Sequence, residues 1–193
     1  MKVTSFETVD NFTRVVLDNT NLSTVNLLRA AILSEVPTWA IDIVIFDQNI
    51  SAREDELLAF RLGQLVIDND DFIPDSDKEH MVYVKWKGPM HVTTDDLVGL
   101  PFRKKTPIIS LREGDIISMT CIVKKDVGNT HPKWKSVSVV SFDENDSDDS
   151  FTLTFEDIGM LSPKAIFENA LLHMEVAANR EAPNIFFTPV LPK

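Results

Sequence analysis

An α+β fold is predicted for this chain of 193 residues, as one discontinuous domain of sheet and helices (residues 1–67 and 151–193) interrupted by a β-rich insertion (residues 68–150). Three observations predict it. Helical periodicity occurs in three segments, and all three lie outside the central stretch. The composition shifts at Asp68, after which strand alternation and loops replace that periodicity to about Ser150. A further strand and the last helix then follow, and they complete the domain that the first 67 residues begin.

The elements follow in order. Residues 3–18 hold two strand-like runs, with a turn at Asp10-Asn11. Asn21 and Ser23 are candidate N-caps for a helix over residues 24–36, whose apolar positions are Val25, Leu28, Ile32 and Val36, widened by Leu27 and Ala31. Pro37 ends it, because the residue before a proline avoids the α region. Residues 39–46 (WAIDIVIF) are β-branched and aromatic and read as a buried strand. Ser51 to Glu54 matches a capping box for a second helix through Leu57, Leu58 and Leu62, with Gly63 as its C-cap. Residues 64–67 read as a returning strand.

Within the insertion, residues 81–86 (MVYVKW), 116–123 and 136–142 are strands, with turns or loops at Gly88-Pro89 and over residues 124–135. Residues 151–155 (FTLTF) alternate as a strand. Ser162-Pro163 places a cap and a first-turn proline in the favoured order. The third helix then spans residues 163–178, with Phe167, Ala170, Leu171, Met174 and Ala178 on one broad face. The tail from Asn179 carries Pro183, Pro189 and Pro192 and reads as extended.

Composition narrows the function. At 44% hydrophobic and 25% charged residues the chain is built like an ordinary soluble protein, long enough to bury a core without staples. The only cysteine, Cys121, excludes an intrachain disulfide and a Cys-based zinc site. No apolar run reaches the ~18–20 residues of a membrane span, and residues 1–10 lack a signal-peptide core, so an intracellular protein without membrane contact is expected. A net charge of −11 and a pI near 4.7 repel phosphate backbones, so little or no direct nucleic-acid contact is expected.

No catalytic constellation appears. His80, His91, His131 and His173 are scattered over different elements, with no metal-ligand spacing, no P-loop and no serine-nucleophile signature. The acidic runs at residues 68–71 and 143–149 start like calcium loops, but the sixth position is Ile73 in one and Asp148 in the other, where a sharp turn needs glycine. No catalytic residue, metal site or cofactor is therefore expected in this chain. Basic residues cluster at Arg103-Lys104-Lys105, and at Lys124-Lys125 with Lys133 and Lys135 around Trp134. The second cluster leaves open an alternative reading, a nucleic-acid-binding accessory factor using residues 124–135 with Trp134 as a stacking platform.

The helix faces point elsewhere. The first and third helices both carry apolar stripes wider than one sheet face needs, which points to a partner that completes a bundle. Leu28 and Ile32 share one face of the first helix. Phe167, Ala170, Leu171 and Met174 share one face of the third.

Residues 21–67, NLSTVNLLRAAILSEVPTWAIDIVIFDQNISAREDELLAFRLGQLVI, resemble the signature of the D/α-type assembly subunits of DNA-dependent RNA polymerases. LLRAAILSEVPTWAID and DELLAFRLG are its most specific parts. Residues 114–134 (GDIISMTCIVKKDVGNTHPKW) are similar to the insert segment of the eukaryotic and archaeal members, and residues 151–174 to the strand–glycine–helix ending. The resemblance implies a dimerisation domain interrupted by an insert domain, and a non-catalytic assembly subunit of the polymerase. It implies pairing with an L-type (Rpb11-like) subunit, then docking on the second-largest subunit and recruitment of the largest. It also implies that Arg29, on an otherwise apolar helix, points to the second-largest subunit, where a guanidinium fork can satisfy several acceptors. Two features depart from the pattern. Members often carry metal-binding cysteines in the insert, and residues 68–80 have none; the usual arginine pair of the first helix is Arg29-Ala30 here. The chain is short beside cellular members, a size that a streamlined polymerase such as that of a large DNA virus would fit.

Overall fold

The computed structural model describes residues 1–74, 79–145 and 149–181. It is α+β, and it divides into two compact units: residues 1–37 with 127–193, and residues 38–126. These boundaries differ from the expected breaks at 67/68 and 150/151. The strand after Pro37 pairs inside the second unit, and the strand after Lys135 pairs inside the first, so strand partnership decides the division.

In the first unit, β1 (Lys2–Val9) and β2 (Phe12–Asp18) form a hairpin, with Asp10 at φ 56° in its turn. Aspartate tolerates that left-handed conformation better than most residues. Helix α1 (Leu22–Ser34) follows, and the Asn21 side-chain oxygen accepts from Thr24 N at 2.9 Å, which selects Asn21 over Ser23 as the cap. The chain returns as β8 (Val137–Glu144), β9 (Ser150–Asp157) and α3 (Pro163–Glu181). The sheet runs β1-β2-β9-β8, all antiparallel. One face is polar, with Arg14 and Ser141 exposed and Thr154 half-buried. On the other, Val15, Leu17, Phe151, Leu153 and Phe155 are buried under the two helices. Helix α3 continues through Glu181, past the expected start of the extended tail at Asn179; residues 182–193 lie outside the described residues.

In the second unit, β3 (Thr38–Ile50) pairs with β7 (Ile116–Asp126), which pairs with β4 (Glu79–Lys87). A second ladder joins β5 (Met90–Thr93) to β6 (Pro107–Leu111), two short strands that sequence pattern does not disclose. Helix α2 spans Asp55–Gly63. The expected capping box is corrected: Ser51 Oγ bonds Asn49 Oδ1 at 2.7 Å, and the helix starts one turn later without a side-chain cap. Gly63 is the last helical residue rather than a left-handed cap. Residues 64–67 form no strand, yet Leu65 and Ile67 are buried, so their apolar run serves the core. The 3₁₀ turns at Thr94–Asp96 and Pro132–Trp134 complete the described elements.

Candidate partner interface

Helices α1 and α3 pack on each other and on the sheet of the first unit, and their inward residues form one continuous core. Six of the seven residues expected at the interface belong to that core: Leu28, Ile32, Phe167, Ala170, Leu171 and Met174 are each no more than 3% exposed. The structure brings them together, but against the chain's own strands. Phe6 of β1 meets Phe167 edge-on, with ring centroids 5.7 Å apart. Side chains so enclosed have no surface left for a partner, and their assignment to an outward face is corrected. The stripe with the larger residues is the one that the sheet buries.

The outward faces carry different residues. On α3, Ala165, Asn169, Leu172 and Val176 follow one another at spacings of four, three and four, which puts them on one line of the helix. Leu172 is 58% exposed and Val176 46%, while Ala165 and Asn169 are half-buried. Asn169 turns its amide back to Ala165 O at 2.8 Å, so this line offers little polar surface. On α1, Leu22 and Leu27 are exposed at 56% and 53%, Ala30 is exposed and Leu33 is half-buried. The outward side of α1 thus carries these apolar residues together with the exposed Ser23 and Asn26.

Arg29 is half-buried at the flank of this surface. Its Nε donates to Asn26 Oδ1 at 3.1 Å, and it forms no ion pair with the described residues. A cross-helix contact, His173 Nε2 to Glu35 at 4.0 Å, ties α3 to the end of α1.

In each basic cluster some of the cations are paired with carboxylates. Arg103 grips Asp68 with Nε and Nη2 at 2.7 and 2.9 Å and Asp70 at 2.7 Å; the Asp68 hydrogen bond, foremost, raises its pKa above the ordinary arginine value. Lys105 pairs with Asp95 at 2.8 Å, and Lys124 lies between Glu79 at 3.3 Å and Asp42 at 3.5 Å. Trp134 is buried, with Lys133 Nζ 4.3 Å from its ring centroid, so it is no open stacking platform. Burial pushes the Cys121 thiol up to about 12, which keeps it protonated and unreactive at neutral pH. Among the described residues, no group of three or more His, Cys, Asp or Glu side chains could hold a metal ion, and no helix is long and apolar enough to cross a membrane.

Comparison with known proteins converges on one family. The pattern described as the RNA polymerase Rpb3/Rpb11 dimerisation domain matches residues 14–176. The chain is 33% identical over 161 residues to the DNA-directed RNA polymerase II subunit RPB3 of Schizosaccharomyces pombe, covering 66% of this chain and 54% of that one. It is 34% identical over 157 residues to rpb3 of Dictyostelium discoideum, covering 66% and 52%. It is 31% identical over 150 residues to subunit Rpo3 of Methanocaldococcus jannaschii, covering 76% of each. The chain spans about half the length of the two eukaryotic subunits.

Proposed function

From the premise that this chain belongs to the RNA polymerase Rpb3/Rpb11 dimerisation-domain family, we propose that it is a non-catalytic assembly subunit of a multisubunit RNA polymerase. It pairs with an L-type (Rpb11-like) subunit through the outward faces of α1 and α3. The pair then docks on the second-largest subunit, with Arg29 among the contacts, and the largest subunit follows. One observation carries this reading: α1 exposes Leu22 and Leu27 away from its own sheet, and α3 exposes Leu172 and Val176 on one line.

The mechanism is burial without covalent chemistry. A stable obligate interface buries more than about 2,000 Å² and resembles a core cut in half. Two pairs of amphipathic helices, one pair from each subunit, supply such a surface when their second apolar faces meet. The two copies of the fold then relate by a pseudo-twofold axis. The inner face of each helix closes its own domain, and the outer face closes the dimer.

The test is co-expression with an Rpb11-type subunit. Replacing Leu172 and Val176 by Asp puts charges into an apolar contact, at a cost of several kcal/mol. The double variant should keep a wild-type circular dichroism spectrum and thermal transition, because both side chains are exposed in the chain alone, yet it should no longer co-purify. Leu171→Asp, at a position 3% exposed, should instead unfold the chain. Arg29→Ala should leave the pair intact and weaken docking on the second-largest subunit by about 2–5 kcal/mol. Co-purification of the Leu172/Val176 variant at wild-type yield would remove the proposed face.

A further inference from the structure

The second unit has two adjoining clefts of about 350 and 510 Å³ that share Arg53, His91 and Ser110. Arg61 completes the first and Arg112 the second, so three of the seven arginines of an otherwise acidic chain line one small region. The side chains of Arg53 and Arg112 are bonded to no described residue, and Arg61 donates only to the backbone carbonyl of Ile108, at 2.7 Å. The one carboxylate in the lining, Asp115, accepts from Arg112 N at 2.8 Å and is engaged with backbone. His91 Nδ1 and Ser110 Oγ are joined at 2.9 Å between the arginines.

We propose that this cleft binds an acidic peptide segment in extended form, with its carboxylates held by Arg53 and Arg112. Three features favour a peptide over a nucleic acid. The apolar wall is aliphatic, and no Phe, Tyr or Trp lines either cleft to stack on a base. A net charge of −11 repels a long polyanion, whereas two or three carboxylates are met one for one by the arginines. Strand β6 pairs with β5 alone among the described strands, and the Ile108 carbonyl takes its bond from Arg61 rather than from a neighbouring strand. The Ser110–Leu111 end of that edge lies in the cleft and can add an extended segment. Arginine forks grip carboxylates with two parallel bonds.

The site is independent of the α1 and α3 pairing, so the two readings fail separately. The probes are a fluorescent decapeptide alternating Asp and Val, its Asn/Val counterpart, and a single-stranded oligonucleotide of equal charge, each titrated into the full chain co-expressed with the Rpb11-type subunit. The acidic peptide should bind, and the Asn/Val peptide should not. Arg53→Gln with Arg112→Gln should weaken binding by roughly tenfold or more, the loss of at least one charge-assisted pair. The double Lys variant should retain part of the affinity, and both variants should still pair through α1 and α3. Equal or tighter binding of the oligonucleotide, no binding of the acidic peptide, or unchanged affinity of the Gln variant would each overturn the proposal.

Discussion

Arg103 shows how far a side chain's meaning depends on residues that the local sequence does not bring near it. In the run Arg103-Lys104-Lys105 it reads as part of a basic patch. In the fold its guanidinium closes on Asp68 and Asp70, 35 and 33 positions upstream, and the Asp68 carboxylate is only 10% exposed. The same strand of chain is tied again where Asp68 N donates to Pro101 O at 2.9 Å. Removing the guanidinium leaves an enclosed carboxylate without its fork. Because Arg103 itself is 37% exposed, the loss is smaller than for a fully buried pair. Arg103→Ala should lower stability by about 1–3 kcal/mol, read from the midpoint of urea unfolding. Lys105→Ala, which breaks a pair exposed at 65% and 61%, should shift that midpoint by much less. Equal shifts would mean that the Asp68 fork contributes no more than a surface pair.

At the scale of elements, the tight corner between β4 and β5 gives the sharpest case. A Cβ built on Gly88 would stand 1.9 Å from the Arg112 backbone oxygen, and Gly88 N donates to Asp115 O at 2.9 Å. Backbone cannot yield as a flexible side-chain tip can, so Gly88→Ala should cost on the order of 3 kcal/mol, as a drop in the thermal midpoint of the second unit's unfolding. A variant as stable as wild type would mean that the corner re-forms around the methyl group. Most of the elements were legible from pattern. The hairpin of β1 and β2, the helices α1 and α3, and the strands β3, β4, β7, β8 and β9 all lie where alternation or helical spacing places them. Short β5 and β6 have too few residues to alternate, and residues 64–67 imitate a strand because they are apolar for burial in a loop. The proposed interface can be drawn from the sequence only in outline. Excess apolar surface on two helices is visible in the sequence, but which stripe faces inward depends on the sheet beneath. Phe167 and Leu171 fill that space, and Leu172 and Val176 do not. The cleft with Arg53 and Arg112 could not be read in advance, since its walls come from segments about sixty residues apart.

For the whole molecule, strand partnership matters more than chain order. The second unit begins and ends on paired residues, Thr38 opposite Asp126, so it can close by itself once residue 126 exists. The first unit cannot. Its central ladder joins β2 to β9, with Asp18 opposite Ser150, and the Ser150 hydroxyl bonds the Asp18 carboxylate across 132 positions. Long-range pairing of this kind carries the larger closure entropy and forms late. Pulse-labelled hydrogen exchange during refolding should therefore protect β4 and β7 amides before those of β2 and β9; simultaneous protection would count against the order. On the ribosome the same ladder becomes a matter of timing. At roughly 5–20 residues per second, about 7 to 28 seconds separate the emergence of β2 from that of β9. For that interval α1 lacks the β9 and β8 half of its sheet, with Leu22, Leu27, Leu28 and Ile32 open to water. This is the window in which a nascent-chain chaperone would bind.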